Sequence, residues 1–299
     1  MGFSGFNRWI LMRFLVVILT LISLNANSQI FANGWRHRSE FVRENLLFEQ
    51  SFEGANPWAD WLTTQDNLGV SGNTWARQQS STYAYDGEYS YRTEVRSGCD
   101  GWKSGGYRSE ILPDGINDPT NQVQWYGFSI LLSEPNNGTN WTGNSLGHFW
   151  QWHPDNGSGS ATLAFYNNYH NNGGWSLAIN PSGGSGNDSV MSSNMPIVAN
   201  VWNHVVLKVF QGTSNNGYVK VWINGDLIFN TNTNLDFNTD GMYLKVGQNR
   251  WGTCSSAGCP SGSEAPCNTW VIYYDNIRIG DSNATFNDVA PEFVFPEPN

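Results

Sequence analysis

Over most of its length the chain alternates apolar and polar residues with a period of two, in short runs broken by turn-forming sequences. Successive side chains of a β-strand point to opposite faces, so this alternation predicts strands with one buried and one polar face. Runs at 45–52, 89–96, 106–112, 122–132, 146–153 and 161–167 read this way, followed by 175–180, 201–211, 218–223, 227–231, 242–247 and 270–279. The turn signals between them include Asp86-Gly87, Asn171-Asn172-Gly173-Gly174, Asn215-Asn216-Gly217 and Asn224-Gly225-Asp226, residues that adopt tight-turn dihedrals at little cost. Helical periodicity is nearly absent. A dozen strands without helices predict an all-β chain, a jelly-roll sandwich of two antiparallel sheets.

Three of these runs carry a polar set on one face. In FWQWHP, Gln151 and His153 share a surface while Trp150 and Trp152 point the other way. Arg108 and Glu110 in YRSEI, and Tyr243 and Lys245 in YLKVGQNRW, repeat the arrangement. A floor of Arg, Gln, His, Tyr and Lys suits the binding of a sugar carboxylate with proton transfer beside it. His148 falls on the opposite face by this alternation, and it and His204 read as structural.

The first residues read as targeting information. Arg8 and Arg13 precede an apolar stretch over 14–24, and Ala26-Asn27-Ser28 offers small residues for a signal peptidase. The stretch is too short for a comfortable membrane span. The expected organisation is a signal peptide at 1–28, an arm at 29–44, one domain at 45–287 and a loose tail at 288–299. The expected location is therefore outside the cytoplasm, with no membrane attachment after cleavage.

Composition agrees with many strands joined by polar turns: 32 Gly, 15 Trp, 16 Phe and 12 Tyr stand against only 13% charged residues. The formal charge of −10 becomes more negative once Arg8 and Arg13 leave with the signal. Such a surface disfavours nucleic acid and anionic membranes, and a polyanionic substrate requires a locally basic groove. A monomer without an organic cofactor is expected. Cys99, Cys254, Cys259 and Cys267 lie in the exported part, where disulfides form. They allow three pairings, and three of them crowd into 252–267, so a bridge stapling that loop is expected. Their spacing fits no common zinc site. Sequons stand at Asn137, Asn140, Asn156, Asn187 and Asn283.

The order of FEQSFEG, DGEYSYRTEVR, YRSEI, WYGFSILL, QWH, WNHVVLKV, VKVWINGDLI, YLKVG and YYDNIRIGD resembles the concanavalin-like jelly-roll polysaccharide lyases, the glucuronan lyase and heparin lyase I group, over 46–281. The floor motifs are also similar to those of jelly-roll alginate lyases. The resemblance implies β-elimination beside a uronic acid, glucuronan first, with endo action in an open groove. By position, Arg108 and Gln151 would neutralise the carboxylate, His153 would take the C5 proton, and Lys245 would bind a carboxylate or assist the leaving oxygen. Glu110 would orient Arg108. The resembled families carry a catalytic tyrosine four residues after the lysine, where this chain has Asn249. Tyr243, Tyr166 or Tyr169 would then supply the acid, with Arg250 following as a basic residue. Arg92 and Arg96, in a second R-T-E-V-R match, would widen the groove. The resemblance also implies a structural calcium held by Glu49 or Glu53 and Asp275.

Two other readings stand beside this one. Glu94 and Glu110, each two residues after an arginine, would serve a jelly-roll glucanase if they faced one groove. The tryptophans, which stack on neutral sugar faces, suit that reading, and a third is a carbohydrate-binding protein without catalysis.

Overall fold

The alternating runs form strands that assemble into two eight-stranded antiparallel sheets in a computed structural model. The structure describes residues 43, 45–62, 73–96, 102–103, 106–116, 120–133, 147–154, 161–167, 174–180, 189–231, 235, 237, 241–250 and 269–291. The chain divides into two units, 1–43 and 44–299, and all described residues but Arg43 belong to the second. The expected signal peptide and most of the arm, the end of the tail, the four cysteines, Tyr169 and the Arg250 side chain lie outside the described residues.

The strands in chain order are β1 (Leu46–Gln50), β2 (Trp61–Leu62), β3 (Arg77–Ser80), β4 (Ser90–Val95), β5 (Trp102–Lys103), β6 (Gly106–Pro113), β7 (Val123–Leu132) and β8 (Gly147–Pro154). They continue with β9 (Leu163–Asn167), β10 (Gly174–Ile179), β11 (Ser189–Pro196), β12 (Trp202–Phe210), β13 (Tyr218–Ile223), β14 (Asp226–Asn230), β15 (Met242–Arg250) and β16 (Trp270–Gly280). The first sheet runs β14-β13-β12-β7-β16-β4-β3 with β1 beside β16, and the second runs β11-β10-β9-β8-β15-β6-β2 with β5 beside β6. Each of the twelve expected strands is present. Four further strands, β2, β3, β5 and β11, escaped the pattern. The sequence of β3 (RQQS) is wholly polar and that of β11 (SVMSSNMP) half polar, and each closes one end of its sheet, where a single neighbour suffices.

The core lies between the sheets. Phe128 of β7 stacks on Trp150 of β8 at 3.8 Å between ring centroids, and Tyr126 meets Trp152 edge-on at 5.0 Å. Pairs of this kind add about 0.5–1.5 kcal/mol beyond the area they bury. One short helix, α1 (Phe286–Val289), covers the outer face of the first sheet over Trp125 and Trp222. It approaches so closely that a Cβ on Gly127 would sit 1.9 Å from the Val289 carbonyl oxygen.

Candidate active site

The floor of the second sheet is built by β8, β15 and β6 as neighbours. Trp150, Trp152, Leu244, Val246 and Ile111 turn into the core, which forces the alternate residues onto the outer face. Gln151 stands opposite Lys245 and His153 opposite Tyr243, while Asn249 stands opposite Arg108 on one side and His148 on the other. The three polar pairs read from the alternation therefore share one surface.

The register of β15 against β8 shifts between Val246 and Asn249, and that of β8 against β9 shifts between His148 and Trp150. These irregularities are β-bulges, in which an extra residue breaks the alternation. Gly247 adopts φ +133° there, and a Cβ would lie 2.1 Å from the Ser109 carbonyl oxygen. Tyr274 reaches across from the first sheet and donates to the carbonyls of Phe149 and Gly247, and Gln248 turns inward to donate to Thr93 and Trp270 carbonyls at 3.0 and 3.2 Å. The bulge brings Phe149 into the core and turns His148 to the groove. This corrects the placement of His148 on the opposite face, because strict alternation fails at an inserted residue.

A buried chain of polar groups results. His148 Nδ1 lies 2.8 Å from Gln151 Oε1, and Gln151 Nε2 donates to Glu110 Oε1. Glu110 thus bonds Gln151, alongside the charges of Lys245 and Arg108 that act on it. Burial pushes the Glu110 carboxyl up, with Lys245, Arg108 and the Gln151 bond pulling it back. Burial likewise pushes the Lys245 ammonium down. Two cations against one carboxylate give the groove the local basic character that a polyanion needs on an acidic protein.

His153 stacks on Tyr243 at 5.8 Å between centroids, and the Lys245 ammonium lies 5.3 Å from the Tyr243 ring. Burial first, then Lys245, Arg108 and His148, lower the His153 pKa to about 4. His148 is also lowered to about 4, by burial against the raising effect of its Gln151 bond, with Arg108 and Lys245 adding to the fall. Both imidazoles are neutral at pH 7, as a base must be. Tyr166 lies edge-on to His148 at 6.3 Å, so it joins the site. Glu110 Oε2, Asn249 Oδ1 and His153 Nδ1 are buried and have no hydrogen-bond partner among the described residues, which suits a polar ligand.

Arg92 and Arg96 do not join it. They sit on or beside β4 in the first sheet, where both pair with Glu94, and Arg96 also covers the Trp75 ring at 4.3 Å. Glu94 and Glu110 belong to different sheets, so the glucanase pairing fails. Proximity in sequence misled here because the jelly roll sends β4 and β6 to opposite layers.

Of the three expected calcium ligands, Glu49 pairs with Arg278 at 2.8 Å. Glu53 accepts the backbone N–H of Glu88 and Tyr89, and Asp275 accepts those of Tyr85, Asp86 and Asn276. Two carboxylates thus hold one turn. Asp275 is fully buried, and its hydrogen-bond partners are backbone amides. In charge, Glu53 and Asp275 fit a cation. No group of three or more acidic, His or Cys side chains gathers among the described residues, so a shell there would rely on carbonyl oxygens.

The architecture is similar to that of several solved structures. Endo-β-1,4-glucuronan lyase from the fungus Trichoderma reesei aligns with a TM-score of 0.59 and 20% identity, over 83% of this chain and 99% of that one. A substrate complex of family 7 alginate lyase A1-II′ aligns at 0.50 and 15% identity, over 75% and 93%. Cellulose induced protein Cip1 aligns at 0.51 and 12% identity, over 78% and 96%. At these identities the likeness establishes the fold. No curated protein sequence matches the chain. The profile described as polysaccharide lyase, however, matches residues 55–278, a span that includes β6, β8 and β15 whole, and the chain belongs to that family of enzymes.

Proposed function

We propose that the protein is a secreted, endo-acting lyase that cuts a uronate polymer, glucuronan first, by β-elimination. The observation that carries this reading is the groove floor: Arg108 and Lys245 beside the Gln151–Glu110 pair, with a neutral imidazole at His153 stacked on the Tyr243 phenol. The choice of glucuronan is supported by the likeness to glucuronan lyase, and secretion by the pattern of residues 1–28.

Arg108, Lys245 and the second amide N–H of Gln151 receive the uronate carboxylate, so charge developing on it is stabilised. The C5 proton passes to a ring nitrogen of His153, the C5–H electron pair forms the C4=C5 double bond, and the C4–O4 bond breaks. O4 leaves with the Tyr243 phenolic proton, and the imidazolium proton returns to the phenolate through solvent. Tyr243 thereby takes the part that Asn249 cannot, and Asn249 and Tyr166 contact the sugar. A structural calcium would be held by Glu53 and Asp275, with a role in stability and none in the elimination.

The test offers glucuronan, alginate, heparan sulfate, hyaluronan and mixed-linkage β-glucan in parallel, following ultraviolet absorbance of the unsaturated uronate together with reducing ends. Both signals rise on glucuronan, and His153→Ala lowers them by about 10²–10⁴-fold. Reducing ends without absorbance would show hydrolysis and end the elimination reading.

A further inference from the structure

One buried side chain of the groove has no part in the elimination just described. His148 is 8% exposed, and its Nδ1 is 2.8 Å from Gln151 Oε1. Gln151 is 1% exposed, and its Nε2 donates to Glu110. A carboxylate accepts hydrogen bonds, so the amide must turn its nitrogen to Glu110 and its oxygen to His148. That oxygen in turn requires a donor, which fixes the His148 tautomer with hydrogen on Nδ1. One N–H of Gln151 is then used by Glu110 and the other is left for substrate. We propose that His148 is a positioning residue of the lyase centre: its Nδ1–H holds the Gln151 amide in the orientation that offers nitrogen, and not oxygen, to the uronate carboxylate.

The physical need is specific to an amide. A glutamine that flips exchanges a donor for an acceptor at the same place, and an oxygen facing the substrate carboxylate repels the charge it should stabilise. Glu110 alone favours one orientation by accepting from Nε2. His148 makes the other costly from the opposite end, because a flip would set two donors against each other. Its reach to Gln151 depends on the bulge, since without the register shift at His148 and Trp150 the imidazole would face the core.

The inference rests on the lyase reading, and wild-type protein is assayed first for the unsaturated product. If no uronate polymer yields it, the lyase reading falls and this proposal falls with it. With wild-type activity established, His148→Asn and His148→Asp form a pair of equal size that differ in the donor. His148→Asn, which keeps an N–H near the Nδ1 position, should hold kcat within about threefold. His148→Asp, which faces Gln151 Oε1 with oxygen, should lose on the order of 10²-fold in kcat, the scale of a misplaced catalytic contact. His148→Leu, with no donor and no charge, should fall with His148→Asp, while its pH profile keeps an acidic limb set by His153, moved if at all upward, because His148 is one of the charges that lower His153. Near-ultraviolet circular dichroism from the adjacent tryptophans verifies the fold of each variant, and the Asn and Asp pair decides if the Leu variant does not fold. Equal activity in the Asn and Asp variants would overturn the proposal. Loss in both together with disappearance of the acidic limb would overturn it too, by making His148 itself the proton acceptor.

Discussion

Lys245 lowers the affinity of His153 for a proton, and its removal should be visible in the pH profile. Burial and the neighbouring charges bring His153 from 6.5 to about 4, with burial first and Lys245 the leading charge. Lys245→Met removes that charge. A histidine freed of a nearby cation binds a proton more readily, so its pKa rises, by on the order of one unit. The acidic limb of kcat/KM reports the base in free enzyme and should therefore move from about 4 to roughly 5. At pH 5 roughly nine-tenths of wild-type His153 is neutral, against about half in the variant. Because Lys245 also binds substrate, the variant is slower at every pH, and the position of the limb, not its height, is the measurement. Initial rates of unsaturated product at substrate far below KM, from pH 3.5 to 8 in constant ionic strength, give it. A limb that stays in place or moves to lower pH would refute the assignment of His153 as the titrating base.

Two further outcomes follow from the geometry. Gly247→Ala places a Cβ 2.1 Å from the Ser109 carbonyl oxygen at φ +133°; it should lower the unfolding free energy in urea by about 2–4 kcal/mol and reduce kcat, and an unchanged midpoint would show that the bulge yields easily. Calcium at about a hundred times its dissociation constant should stabilise the wild type by about 2.7 kcal/mol relative to chelator, with no such gain in Asp275→Asn; equal thermal midpoints with calcium and chelator in the wild type would remove the metal from the turn.

The faces of the floor strands were legible because period-two alternation is a local property of the backbone. Gln151 and His153, Arg108 and Glu110, and Tyr243 and Lys245 each separate from core neighbours by that rule alone. His148 was not legible, since a bulge depends on how neighbouring strands register. The one sequence signal near it is Gly247, in a strand interior where glycine often marks a bulge. β3 has no apolar residue to alternate, and in β11 Ser193 stands on the inward face between Met191 and Met195 and interrupts the apolar pattern.

The amino-acid sequence by itself determined an all-β chain, most of its strands, the inward direction of Trp150 and Trp152 and the polar residue types offered along three strands, since each depends on side-chain direction within one segment. Tertiary structure alone decided which strands became neighbours. It placed Glu94 in one sheet and Glu110 in the other, separating two look-alike motifs, and it turned His148 toward Gln151. Layer assignment and register arise from contacts between segments distant in the chain, where packing between sheets, and not the local pattern, sets the free energy.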